Sequence, residues 1–125
     1  MEVQSVINES ALKEARKYLI KPGIRKISAI ASAALAQVGV NQDCTMLVTN
    51  ALKAVGINFH GWPSDYASLG SWTSNPVPGD IIIYSGHVAI YIGNGQAVHG
   101  GWNGYTTVVF SVNCSNALVG YIHVG

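Results

Sequence analysis

Residues 78–101, PGDIIIYSGHVAIYIGNGQAVHGG, hold three short runs rich in β-branched residues, separated by turn residues. This is the pattern of three antiparallel strands, with His87 opening the second and His99 closing the third. Turn length decides where the two imidazoles point, because successive side chains alternate between faces. A two-residue Asn94-Gly95 turn sets Gly93 opposite Gln96 and Ile90 opposite His99, which puts the rings on opposite faces. A three-residue Gly93-Asn94-Gly95 turn, with Gly95 in the left-handed region, sets Ala89 opposite His99. His87, Ala89, Tyr91, Ala97 and His99 then share one face, and Val88, Ile90, Ile92 and Val98 share the other. The second register is preferred, since it gathers the apolar side chains and leaves small alanines beside the histidines.

Upstream, residues 44–55 (CTMLVTNALKAV) read as a helix with Asp43 as its cap and Gly56 as its stop. Leu47, Val48, Ala51 and Val55 continue from Cys44 along one buried stripe. Cys44 falls in the first turn, where unpaired N–H groups and the positive end of the helix dipole favour a thiolate. A helix over about residues 24–38 precedes it, with Ile27, Ile30, Ala31, Ala34, Leu35 and Val38 at helical spacing and Gly39 at its end. A further helix is expected over about residues 11–20, capped by Ser10 and stopped by Lys21-Pro22-Gly23. Residues 57–77 are long for a connection and carry His60, Trp62, Pro63, Tyr66 and Trp72, aromatics that either wall a cleft or anchor the segment in the core. Gly100-Gly101-Trp102-Asn103-Gly104 reads as a flexible mouth, and strands over 105–112 and 117–124 complete the sheet. The expected fold is α+β, three N-terminal helices followed by a five-stranded antiparallel sheet. It forms one domain over 1–125, residues 1–26 being a basic helical lead-in and 27–125 the body.

Composition narrows the function. Of 125 residues, 49% are hydrophobic and 10% charged, which points to a compact body and excludes a disordered one. Six of the seven basic residues (Lys13, Arg16, Lys17, Lys21, Arg25, Lys26) precede Ile27, and beyond it only Lys53, Asp43, Asp65 and Asp80 are charged. A body so poor in cations is unsuited to a phosphate backbone, so nucleic acid is not expected as the ligand. No run is long enough to span a bilayer, and the apolar stretch 27–40 has the period of an amphipathic helix rather than the form of a signal peptide. Any work outside the cell would then depend on phage lysis or a secretion machine. Two cysteines, Cys44 and Cys114, allow one bridge or two thiols, and their different settings favour different jobs.

A thiol nucleophile needs a base to take its proton and a third group to fix that base. Cys44, His87 and His99 are these types, in that order. Their spacing fits no common zinc pattern, so neither a metal nor another cofactor is expected.

Asp43-Cys44-Thr45, Pro78-Gly79-Asp80-Ile81-Ile82, the run from His87 to Gly95 (HVAIYIGNG) and Val98-His99, in this order, resemble the NlpC/p60 superfamily of papain-like cell-wall peptidases. The resemblance implies Cys44 as nucleophile, His87 as base and His99 as the residue that orients it. It implies peptidoglycan stem peptides as substrate, commonly cut between γ-D-glutamate and the diamino acid, and work in the cell wall or periplasm. Trp62, Tyr66, Trp72 and Trp102 are then expected to bind substrate, and an immunity protein or an added wall-binding domain is a conceivable partner. The chain departs from the family in Thr45-Met46, where Ser-Gly is usual, and in having no tyrosine over Gln37 to Gln42 to line the oxyanion site. Thr45 resembles the related CHAP amidases. A CHAP-like amidase, a toxin deamidase and an idle wall-binding or phage structural module are the alternatives.

Overall fold

The helical stripe read from the sequence packs inward. In the computed structural model, which describes residues 24–124, helix α1 (Ile24–Leu35) buries Ile27, Ile30, Ala31, Ala34 and Leu35. The helix expected over residues 11–20 and the basic lead-in up to residue 23 lie outside the described residues. Helix α1 ends three residues earlier than expected, and the chain unwinds through turns to Gly39, whose φ of 92° suits only glycine. Helix α2 (Cys44–Lys53) begins at the cap expected for it: Asp43 is extended and its side chain accepts from the Met46 amide. Leu47, Val48, Ala51 and Leu52 form its buried side.

The sheet has six antiparallel strands rather than five. They are β1 (Gly70–Thr73), β2 (Ile81–Tyr84), β3 (His87–Gly93), β4 (Gln96–Trp102), β5 (Thr106–Ser111) and β6 (Leu118–Val124), in the spatial order β1-β6-β2-β3-β4-β5. The extra strand comes from the stretch read as a long connection, which also holds a 3-10 helix (Pro63–Leu69). Strand β1 pairs with the far side of β6, and Gly120 leaves room there for the Trp72 ring. Its mostly exposed residues carry no apolar alternation, so nothing in its sequence announces a strand. Ile81, Ile83, Val88, Ile90, Ile92, Val98, Ile122 and Val124 meet the helices in the main core, while Ile82, Tyr84, Ala89 and Ala97 make a second cluster on the other face. Among the described residues no helix is long and apolar enough to cross a membrane.

The β3–β4 turn joins the two alternatives weighed above. Asn94 (φ 54°) and Gly95 (φ 69°) form a two-residue turn closed by Gly93 and Gln96, yet Tyr91 faces Ala97 and Ile90 faces Val98. A bulge at Ile92-Gly93, with Gly93 at φ 94°, absorbs the odd residue, so the register is the one that sets both histidines on a single face.

Beyond Ile90 and Val98 the pairing of β3 with β4 stops, although both strands continue. The start of α2 occupies that end of the sheet. The Gly101 amide donates to the Gln42 carbonyl at 2.7 Å, and a Cβ on Gly100 would lie 2.5 Å from the Asp43 carbonyl oxygen and 2.8 Å from the Leu47 Cβ. The segment expected to be a flexible mouth is thus the seat of the helix. Gly100→Ala should lower stability by about 1–3 kcal/mol, the usual range for an overpacked contact, measured as a shift in the urea midpoint.

Candidate active site

Cys44 is the first residue of α2, half-buried where β3 and β4 part. Asp43 Oδ1 accepts from the Thr45 hydroxyl at 2.6 Å and from the Met46 amide at 2.8 Å, which fixes the turn that carries the sulfur. Thr45, beside Cys44, therefore takes part in the cap. The thiol is pushed above the ordinary cysteine range, chiefly by burial and further by the neighbouring Asp43 carboxylate, while the backbone amide of Val88 acts in the opposite sense. Helix position alone led to the expectation of a thiolate. Burial outweighs it, and the resting side chain is a neutral thiol.

The two imidazoles stack at 5.2 Å, and His87 Nε2 lies 3.0 Å from His99 Nδ1. Their protons can be placed by following the chain to its end. His99 Nε2 is 3.0 Å from the Ser111 carbonyl, which can only accept, so that nitrogen carries a proton. In neutral His99, Nδ1 is then an acceptor and His87 Nε2 must donate to it. Neutral His87 is left with an unprotonated Nδ1, the form a base requires. Burial keeps both rings neutral. It lowers His87 to about 4, with His99 adding to the effect, and it lowers His99 against the opposing bonds from the Ser111 and Phe110 backbone.

Tyr84, opposite His87 across β2 and β3, packs its ring 5.3 Å from His87 and 6.1 Å from His99. Its hydroxyl donates to the Val112 carbonyl at 2.6 Å, next to the carbonyl that holds His99. Trp102 lies 5.2 Å from the His99 ring and 4.5 Å from Phe110, closing the other side.

An open groove of about 670 Å³ runs past Cys44, lined by Asp43, Thr45, His60, Gly61, Trp62, Pro63 and Gly86. The described contacts include no hydrogen bond between Cys44 and His87; the sulfur instead meets the amide of Val88, the next residue on β3. Such thiol–imidazole contacts often tighten only when substrate arrives.

The four aromatics expected to bind substrate divide. Trp62, 79% exposed, walls the groove. Tyr66 does not: it is fully buried, with its hydroxyl on Thr49 (2.6 Å) and the Thr45 carbonyl (3.1 Å), and it supports α2 from below. Trp72 stands on β1 at the sheet edge, and Trp102 covers His99, so neither lines this groove. Sequence reasoning missed Tyr84 and Ser111, the latter reaching His99 through its carbonyl, which no side-chain pattern can reveal; His60, read among the residues of the long connection, does border the groove. Cys44 and Cys114 are free thiols, and among the described residues no three of His, Cys, Asp or Glu cluster as metal ligands would.

The family model described as "NlpC/P60 family" matches residues 31–118. The P60 domain of antigen MAP1204 from M. avium subspecies paratuberculosis is 20% identical with a TM-score of 0.69, over 78% of this chain and 93% of that one. RipB, a peptidoglycan hydrolase of Mycobacterium tuberculosis, is 19% identical with a TM-score of 0.69, over 98% and 84%. NlpC1 of Trichomonas vaginalis is 20% identical with a TM-score of 0.71, over 80% of this chain but only 44% of its own. At these identities the likeness is one of fold. No curated protein matches the sequence.

Two measurements check the imidazole pair. Nitrogen-15 NMR at neutral pH should find both His87 and His99 in the Nε2–H form. Stability should fall as pH drops from about 6.5, the ordinary histidine value, toward about 4, because the unfolded chain then binds a proton that folded His87 does not. Urea titrations across that window read the slope, and the loss should be smaller in His87→Gln.

Proposed function

From the premise that this chain belongs to the NlpC/P60 family, we propose that it is a cysteine peptidase hydrolysing amide bonds in peptidoglycan stem peptides. The γ-D-glutamyl-diamino acid bond is the one the reading favours. One observation carries it: the relay from Ser111 through His99 leaves His87 with a basic Nδ1, one residue from the amide that meets the Cys44 sulfur. RipB, of the same fold, is a peptidoglycan hydrolase, which supports the substrate class.

In the proposed reaction Cys44 Sγ attacks the amide carbonyl while its proton passes to His87 Nδ1. Because both groups start neutral, transfer accompanies attack rather than preceding it. The imidazolium that forms donates through Nε2 to His99 Nδ1, while His99 keeps its own proton on Nε2, donated to the Ser111 carbonyl. The Cys44 backbone N–H, in the first turn of α2, faces the developing oxyanion. His87 then gives the proton to the leaving amine; water, losing a proton to the same nitrogen, attacks the thioester, the C–S bond breaks, and His87 returns that proton to the departing Cys44 sulfur. Such an enzyme acts in the cell wall.

Cys44→Ala should abolish release of stem-peptide fragments from purified sacculi, a loss of at least about 10³-fold, while the fold persists. Mass spectrometry of products from defined muropeptides identifies the bond, and undiminished cleavage by the variant would remove Cys44 from the mechanism. Since neutral His87 is the base, the acid limb of kcat/KM should be centred near about 4 rather than at the ordinary 6.5.

A further inference from the structure

His60 borders two hollows: the groove beside Cys44, and a neighbouring one of about 280 Å³ walled by Thr49, Lys53, Ile57, Asn58 and Phe59. The ring is tied to the nucleophile helix, with Nδ1 3.0 Å from Thr49 Oγ1. That hydroxyl also lies 2.9 Å from the Phe59 carbonyl and 2.6 Å from the Tyr66 hydroxyl, which reaches the Thr45 carbonyl at 3.1 Å.

Counting protons sets the tautomer. Thr49 and Tyr66 hold one hydroxyl proton each, and both carbonyls only accept. If Thr49 donates to His60, Tyr66 must supply the short Thr49 contact and only two bonds form. If His60 Nδ1–H donates to Thr49, three form: Thr49 to Phe59 with Tyr66 to Thr49, or Thr49 to Tyr66 with Tyr66 to Thr45. The second state satisfies more of these partly buried groups. His60 is then an Nδ1–H imidazole, the opposite tautomer to His87 and His99, and its Nε2 lone pair has no hydrogen-bond partner among the described residues, the Asp43 carboxylate acting on the ring only through its charge.

Elsewhere in the groove Trp62 and Pro63 offer mainly apolar surface, and Asp43 Oδ1 is engaged in the cap. We propose that His60 is a substrate-positioning residue whose Nε2 accepts a hydrogen bond from a backbone N–H of a peptide lying in the groove. The proposal rests on the peptidase reading given above. A surface histidine without function is the competing account, and it predicts no effect on substrate affinity.

Steady-state kinetics on defined muropeptides decides between them. His60→Ala should raise KM about tenfold, the worth of one hydrogen bond of about 1.4 kcal/mol, with kcat changed less than about twofold. His60→Gln, whose amide oxygen can accept, should recover part of the loss, while His60→Leu should not. Thr49→Val, which frees the ring, should raise KM in the same direction. An unchanged KM in His60→Ala, or a fall confined to kcat, overturns the proposal and leaves the peptidase reading intact. If the native protein cleaves nothing, calorimetric titration of Cys44→Ala and of Cys44→Ala/His60→Ala with the same muropeptides reads His60 by itself. Weaker binding by the double variant supports the role, and equal affinities or no binding by either overturn it.

Discussion

The start of a helix resting on bare backbone is the contact on which this molecule's chemistry depends. Gly100 and Gly101 have no side chains, so the Asp43 carbonyl and the Cys44 amide come close to the main chain of β4. With the helix seated there, the first residues of β3 and the last of β4 stay apart, and the Val88 amide faces the sulfur. The hydrophobic core holds this arrangement from beneath: Leu47 and Val48 of the helix lie in the same cluster as Val88, Ile90 and Val98 of the two strands. Moving the helix outward would expose that surface as well as widen the gap.

Two effects compete at the sulfur. A position in the first turn of a helix offers free N–H groups and a favourable dipole, typically worth about 0.3–1 kcal/mol and up to about 2. Partial burial and a carboxylate on the adjacent residue work against the charged form, and together they prevail. The histidines are shifted the same way, toward neutrality, by burial among Tyr84, Trp102 and the strands. In the proposed mechanism the site therefore rests uncharged and generates its ion pair only in the course of reaction, where little water competes for it.

Much of this was legible in the chain. The helical stripes on α1 and α2, the Asp43 cap and the shared face of His87 and His99 follow from residue spacing and turn chemistry, and the structure has each of them. The turn itself needed a bulge that neither simple alternative contained, because a bulge lets a two-residue loop coexist with the register of a three-residue one. What stayed hidden depends on long-range pairing. Strand β1 exists because β6 presents an edge, and Tyr66 is buried because α2 lies over it. From sequence, an aromatic in a long connection looks the same whether it walls a groove or plugs a core. The family match and the resemblance agree over the segment that carries the motifs, while the departure at Thr45 turns out to belong to the helix cap.

The relay ends on the main chain, at the carbonyl of Ser111. Every amino acid possesses that atom, so descent with modification can alter the side chain here, losing the Asn113 amide's bond to Ser111 Oγ at 3.0 Å, and still keep the acceptor that sets how the imidazoles are protonated. What inheritance must preserve is the path of the backbone through Ser111 and Val112, pinned by the Tyr84 hydroxyl and by the Val112 amide on Gly95. Insertions or deletions near the end of β5 are thus the genetic changes to which the pair of imidazoles is most vulnerable.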